Sequence, residues 1–311
     1  MSKAVRRVLV TGAGGYIGCS LVPELVKRGY EVRALDKYTR GQDRHFSHSG
    51  VTRIYADTRT WSGEGLEGVD AVVDLAAISH DRRGEITPHE TLDINQFARY
   101  RTAKRSREAG AGRYLFMSTC GVYGFRDDPR GADEKAVPNP LTTYAKAACR
   151  SERDILLLGR EGFDVTVARP AILYGYSPRM RFDLAVNAMV RAAWQTGAIT
   201  LQGGGGQWRP FVHLKDAVEA VCCLLEAPAE KVTAEIFNIG SGGQNIRIRD
   251  LAELVAAVLP IPVEIRREGP ADPRSYRINA DKIGGVLGWK ASYSLKEGIE
   301  ELYGKLVRGF V

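Results

Sequence analysis

The segment Thr11-Gly12-Ala13-Gly14-Gly15-Tyr16-Ile17-Gly18 constrains this chain more than any other stretch. An apolar run, Val5 to Thr11, leads into it, and a helical pattern, Ile17 to Arg28, leaves it. The first reads as a strand and the second as a helix. Glycines at this spacing between a strand and a helix have separate jobs. Gly12 permits the tight turn, Gly15 lets the backbone approach a pyrophosphate, and Gly18 lets helix and strand pack closely. The N–H groups at the helix start, where Tyr16 and Ile17 lie, then hold the phosphates. A glycine triplet alone is a weak signal, and its place between strand and helix is what gives it weight. Asp36 follows the next strand at the expected distance of about 20 residues. Its carboxylate suits adenosine ribose hydroxyls and repels a 2′-phosphate, which favours NAD over NADP. Lys37 and Arg40 lie just beyond and soften that preference.

The rest of the first half alternates short apolar runs with helical patterns. Strands are predicted at Glu31 to Leu35, Val51 to Tyr55, Ala71 to Leu75, Tyr114 to Ser118 and Val165 to Arg169. Helices are predicted at Leu92 to Ala109 and Thr143 to Leu158. This alternation predicts an α/β fold, a doubly wound parallel Rossmann sheet. The pattern breaks after Tyr174. A turn-rich stretch, a helix near Leu184 to Thr196, a glycine run at 203–206 and several prolines follow. We expect residues 1–175 to form a dinucleotide-binding domain, joined by a returning strand near 236–240. Residues 176–311 should form mostly a smaller, mixed C-terminal substrate lobe.

Composition excludes several classes. The 311 residues are 44% hydrophobic and 26% charged, enough for a real core and a soluble surface. No apolar run approaches the roughly 20 residues of a membrane span. The basic and apolar start runs directly into the glycine loop, so it reads as a strand rather than a signal peptide, and a cytoplasmic location is expected. The net charge of +7 is spread over scattered side chains without a nucleic-acid module signature. An anionic small substrate explains the surplus. The five cysteines include no Cys-x-x-Cys pair, so neither a metal site nor a disulfide framework is expected.

Further motifs carry a resemblance. Asp57 lies in Tyr-Ala-Asp-Thr-Arg, Leu75-Ala76-Ala77 follows the fourth strand, and Asn95 opens a helix. Ser118-Thr119-Cys120-Gly121-Val122-Tyr123-Gly124 ends a strand, Pro140-Leu141-Thr142-Thr143-Tyr144 opens a helix, and Arg169-Pro170 and Tyr174-Gly175 lie beyond. Together these resemble the extended short-chain dehydrogenase/reductases, in the sugar-nucleotide epimerase/dehydratase branch, over essentially the whole length. The resemblance implies NAD as cofactor, contacted at Asp57, Leu75, Ala76, Ala77, Asn95, Tyr144 and Pro170 as well as at the glycine loop. It implies a nucleotide-diphospho-sugar substrate near Ser118, Thr119, Asn187, Arg209 and Arg274, with Arg179 and Arg181 close by. Arginine suits a diphosphate because its fork meets phosphate oxygens in pairs. Relatives would dimerise through the helices near Leu92 to Ala109 and Thr143 to Leu158.

The implied chemistry is reversible oxidation at a sugar carbinol. Tyr144 takes the hydroxyl proton, Thr119 orients the same oxygen, and hydride moves to the nicotinamide. A phenol has an ordinary pKa of about 10 and needs a nearby positive charge to act as a base near neutrality. The family supplies a lysine four residues after the tyrosine, one helical turn away. Here that position is Ala148, with Lys146 roughly opposite on the helix. Three readings are open: a lysine-to-alanine substitution made by engineering, a natural enzyme whose positive charge lies elsewhere, and a natural non-catalytic relative. The intact surroundings favour the first. Dehydratases of this branch carry an Asp-Glu pair after the catalytic threonine, and Cys120 and Gly121 cannot replace it. A 4-keto-sugar reductase would usually want NADPH, against Asp36. Epimerisation at C4 leads by elimination, with reduction, dehydration or pure binding of NAD or a sugar nucleotide as alternatives.

Overall fold

The computed structural model describes residues 5–39, 41–46, 49–79, 85–270 and 272–309. Arg40 lies outside them. Among the described residues there are twelve strands: β1 (Arg7–Thr11), β2 (Glu31–Asp36), β3 (Val51–Tyr55), β4 (Ala71–Asp74), β5 (Arg113–Met117), β6 (Asp164–Pro170), β7 (Ile172–Tyr174), β8 (Ala198–Gln202), β9 (Trp208–His213), β10 (Glu235–Ile239), β11 (Asn245–Arg247) and β12 (Glu264–Glu268). Seven of them form one sheet in the order β10-β6-β5-β4-β1-β2-β3. Every pairing in it is parallel. β4 and β5 are buried at every position because the sheet is covered on both faces. β3, at the edge, has no buried residue. Strand order reverses direction between β1 and β4, which opens a crevice at the C-terminal ends of the strands.

β10 returns to this sheet beside β6, in register from Glu235↔Thr166 to Ile239↔Pro170. β7 leaves it and pairs with β9, which also pairs with β11, while β12 pairs with β8. A second core gathers behind these small sheets around Tyr174, Val190, Phe211, Leu251 and Ile299. Among the described residues no helix is long and apolar enough to cross a membrane, and no cluster of side chains could hold a metal ion.

The helix expected from Leu92 to Ala109 is interrupted. Pro88–Leu92 and Arg99–Glu108 are α-helical, but Asp93–Ala98 is a π-helical stretch. The wider turn coincides with outside bonding: Asn95 binds Ile78 through its side chain and accepts from Ser151 Oγ through its carbonyl. Among the described residues, two ion pairs are almost fully buried. Arg99 meets Asp74 at 3.0 Å, and Arg169 meets Glu152 at 2.6 Å. The second ties the helix Thr143–Leu156 to β6, and Arg169 goes on to the Tyr123 hydroxyl at 2.9 Å.

In the second lobe, Glu301 on the helix Leu295–Val307 receives Lys215 Nζ at 2.6 Å and lies 3.0 Å from His213 Nε2. Burial alone would raise its carboxyl, but bonds to His213 and Lys215 outweigh burial and hold it at about 2. An unfolded glutamate titrates near 4.3, so the native state binds fewer protons between the two values. The stabilisation should be complete above about pH 4.3 and vanish as pH falls toward 2. Denaturant titrations should show Glu301→Gln costing about 1–3 kcal/mol at pH 7 and far less near pH 2. An equal loss at both pH values would refute the linkage.

Candidate active site

A cleft of about 970 Å³ lies along the C-terminal ends of β1, β2, β4, β5 and β6 and runs on toward the second lobe. At one end is the glycine loop. Gly12 has φ +66°, and a Cβ there would stand 2.8 Å from Ala76 N. Any side chain at position 12 would therefore force apart the loop and the Leu75-Ala76-Ala77 segment. Gly18 is equally restricted, because its Cβ would run into the Gly12 and Ala13 carbonyls. Thr11 joins the same two segments. Its Oγ1 accepts from Leu75 N and Ala76 N, both at 3.2 Å, and donates to Asp74 at 2.6 Å. Gly15 N–H closes the turn onto Gly12 O at 3.0 Å.

Asp36 lines the cleft at the end of β2. Its carboxylate accepts from Gly14 N at 3.1 Å and Tyr38 N at 3.0 Å, so it both shapes the glycine loop and faces the cleft. Asp57 also lines the cleft and pairs with Arg59 at 2.7 Å and Lys37 at 3.2 Å. The Arg59 bond, helped by Lys37, holds its carboxyl well below the usual range. Lys37 is thus engaged with an internal carboxylate rather than standing alone at the rim.

Tyr16 and Ile17 line the cleft too. The Tyr16 hydroxyl donates to Gly175 O at 2.5 Å, and burial pushes the phenol above its ordinary value. Ser177 Oγ donates to Tyr16 O at 2.8 Å, so the glycine loop is tied directly to the turn that leaves the main sheet.

The central part of the cleft brings Ser118, Thr119, Tyr144 and Pro170 together. Thr119 Oγ1 accepts from Gly121 N at 3.0 Å, which leaves its own O–H to donate elsewhere. Ser118 also lines the cleft, but its hydroxyl donates to buried Glu152. Tyr144 stands in the first turn of the helix Thr143–Leu156. Thr142 Oγ1 accepts from Ala145 N at 3.2 Å, and Glu85 accepts from Thr143 N at 2.6 Å, so this helix start is capped twice. Ala148 lies one turn on, 2% exposed and packed into the core. Lys146 is exposed.

On the far wall are Arg181, Arg209 and Arg274. Arg181 donates to Ser79 Oγ at 2.6 Å and Ser79 O at 3.0 Å and pairs with Asp183. Arg209 and Arg274 converge on Asp272, at 2.9 and 2.7 Å. Burial would raise the Asp272 carboxyl, but the two arginines outweigh it and keep it low.

Four expected site residues are absent from the cleft lining among the described residues: Asn95, Ala148, Arg179 and Asn187. Asn95 is consumed by Ile78, accepting from its N and donating to its O, both at 2.8 Å. Asn187 accepts from Gly175 N and donates to Tyr16 and Arg181 O, so it braces the wall from behind. Arg179 folds onto Met180 O. Conversely, sequence reasoning passed over Asp272 and Arg99, both on the lining. Asp272 stands in the same Asp-Pro-Arg run as Arg274, and that neighbourhood was the available signal.

The glycine cradle and Asp36 fit a dinucleotide. The sequence profile of the NAD dependent epimerase/dehydratase family matches residues 8–240. The chain belongs to this family. It is 31% identical to the UDP-N-acetyl-alpha-D-glucosaminuronate decarboxylase of Bacillus cytotoxicus, over 95% of this chain and 96% of that one. Among solved structures it is similar to MoeE5 in complex with UDP-glucose and NAD. The TM-score is 0.87 and the identity 26%, over 98% of this chain and all of that one. It is also similar to DesIV, a dTDP-glucose 4,6-dehydratase from Streptomyces venezuelae with NAD bound. There the TM-score is 0.86 and the identity 25%, over 98% of each chain. The cofactor of the family is NAD.

Asp36 gives a direct check. Asp36→Ala removes both the acceptor and the like-charge repulsion, so NAD should bind about tenfold more weakly while NADP holds or gains. Equal losses for both dinucleotides in titration calorimetry would show that Asp36 only shapes the loop.

Proposed function

We propose that this protein is an NAD-dependent nucleotide-diphospho-sugar epimerase that works through a transient 4-keto sugar. The observation that carries this reading is the meeting of Thr119 and Tyr144 between a dinucleotide cradle and an arginine-bearing wall. Arg209, Arg274 and Arg181 hold the diphosphate, and binding energy from that remote part of the substrate fixes the sugar against Tyr144. Thr119 donates to the C4 oxygen. Tyr144 takes the C4 hydroxyl proton as the oxygen becomes a carbonyl and returns it when the carbonyl is reduced. NAD, when bound, would supply reversible hydride chemistry at C4, and return of hydrogen to the opposite face of the ring would invert that centre.

Relatives with decarboxylase names favour one second reading, loss of the C6 carboxylate from a uronate at the same 4-keto stage. It needs the same tyrosine and threonine and differs only in the sugar presented. Dehydration is disfavoured, because Cys120 and Gly121 bring no carboxyl acid or base beside Thr119.

Ala148 leaves the tyrosine without the family's lysine, and we infer that turnover is impaired by it. Ala148→Lys should raise kcat by about 10²–10⁴, the usual range for a general base brought into its working form. Tyr144→Phe should abolish turnover in both backgrounds. The assay is proton NMR of UDP-glucose, UDP-galactose and UDP-glucuronate incubated with NAD. Inversion at C4 supports epimerisation, and loss of C6 as carbon dioxide supports the uronate reading. Tight binding with no turnover in either form would favour a non-catalytic binder.

We also infer a homodimer through the helices Arg99–Glu108 and Thr143–Leu156, around which Phe97, Tyr100 and Leu157 are exposed. Phe97→Glu should halve the mass seen in sedimentation. A monomeric unaltered chain would rule this out.

A further inference from the structure

Arg99 is a buried charge with no part in the chemistry above. Its side chain is 3% exposed, and its guanidinium lies over the Phe116 ring at 4.3 Å. Nε donates to Asp74 Oδ2 at 3.0 Å, and Nη2 donates to Asp74 O at 2.7 Å and Met117 O at 2.9 Å. Among the described residues Nη1 makes no hydrogen bond, and the side chain lines the cleft. Nη1 is not among the fully enclosed polar atoms left without a partner, so this N–H edge can be reached by a ligand or water.

The place decides which ligand. Among the described residues, five Lys or Arg side chains line the cleft: Lys37, Arg99, Arg181, Arg209 and Arg274. Lys37 is engaged with Asp57, and the last three stand on the far wall. Among these described cations, Arg99 is the one bonded to the ends of β4 and β5, between the glycine loop on β1 and Pro170 on β6. β4 and β5 lie one and two strand spacings from β1, about 5 and 10 Å. A dinucleotide with its pyrophosphate at the helix start beyond Gly15 and its nicotinamide near Tyr144 must pass its second ribose over this point.

We propose that Arg99 is a cofactor-binding residue whose Nη1 edge donates to the ribose hydroxyls of the nicotinamide half of NAD. The inference rests on the NAD site described above. Its fork is held open by Asp74 and the two strand-end carbonyls, so little ordering is left to do when the cofactor arrives. Ala148 is buried and uncharged, and Arg99 is a cation at the strand end that leads to Thr119. It donates to Met117 O, two residues before it.

The test compares NAD, ADP-ribose and ADP by calorimetry on the full chain. ADP carries the adenosine and both phosphates, and ADP-ribose adds the second ribose. Arg99→Lys keeps a charge for Asp74 but loses the fork. Arg99→Gln removes the charge, keeps an N–H donor for Asp74, and serves if Arg99→Lys fails to fold. In a folded variant NAD and ADP-ribose should weaken about tenfold while ADP stays within about twofold. Unchanged NAD affinity would overturn the proposal. So would a loss shared equally by ADP, which would mean that the whole cradle had loosened. An unaltered chain that binds ADP but neither larger ligand would instead sink the NAD reading on which the proposal stands.

Discussion

The buried carboxylate of Asp74 holds the working end of the sheet together. Its two oxygens receive Thr11 Oγ1, Arg99 Nε and the Tyr114 hydroxyl, at 2.6, 3.0 and 2.9 Å. Through these it joins the end of β1 to the end of β4 and, through Arg99, to the end of β5. Three loops leave at those ends: the glycine loop, Leu75-Ala76-Ala77, and Ser118-Thr119. A parallel sheet fixes its strands but not the loops beyond them. Here one charge cluster sets all three roots, where small displacements would matter most to a bound dinucleotide. Burying such a pair is expensive, and breaking it by removing one partner commonly costs about 3–5 kcal/mol. The cluster is thus better understood as a geometric constraint than as a source of net stability.

Glu152 and Arg169 do the same work one strand further on. They clamp the helix carrying Tyr144 against β6, with Ser118 and Tyr123 completing their bonds. This explains how position 148 can be alanine without disturbing the frame. The helix is held from Glu152, a full turn beyond, and alanine is the strongest helix former. Framework and proton chemistry are separable in this helix.

Much of this was legible in the sequence, for identifiable reasons. The sheet strands are short apolar runs bounded by turns, and those of the central sheet differ from the expected bounds by at most two residues, as at β1, which starts at Arg7 rather than Val5. The glycine loop was legible because its restriction is backbone sterics, which a sequence carries directly. What was not legible depends on where side chains point. Asn187 and Arg179 sit in the right segments but face Tyr16, Gly175 and Met180 instead of the cleft. The π-helical stretch at Asp93–Ala98 leaves no mark on hydrophobic periodicity, because it follows from contacts with Ile78 and Ser151, 17 and 56 residues away from Asn95. Arg99 stands on an arginine-rich helix, and nothing in the sequence marks it as the one that turns inward.

The remaining tension is electrostatic. Tyr144 stands at a helix N-terminus, whose partial positive charge favours a phenolate by about 0.3–1 kcal/mol. One pKa unit corresponds to about 1.36 kcal/mol, so the helix by itself shifts a phenol by less than one unit. Glu85, bonded to Thr143 N at the same helix start, brings a negative charge that works against even this. Ala148 carries no charge, and Lys146 is exposed. In the folded chain the arginines across the cleft are largely spoken for by Asp183 and Asp272. A diphosphate that entered would have to share or displace those carboxylates. A lysine at 148 would add a positive charge one helical turn from Tyr144, on the same face of the helix. A site whose frame is fixed by Asp74 and Glu152, whatever stands at position 148, separates recognition from turnover.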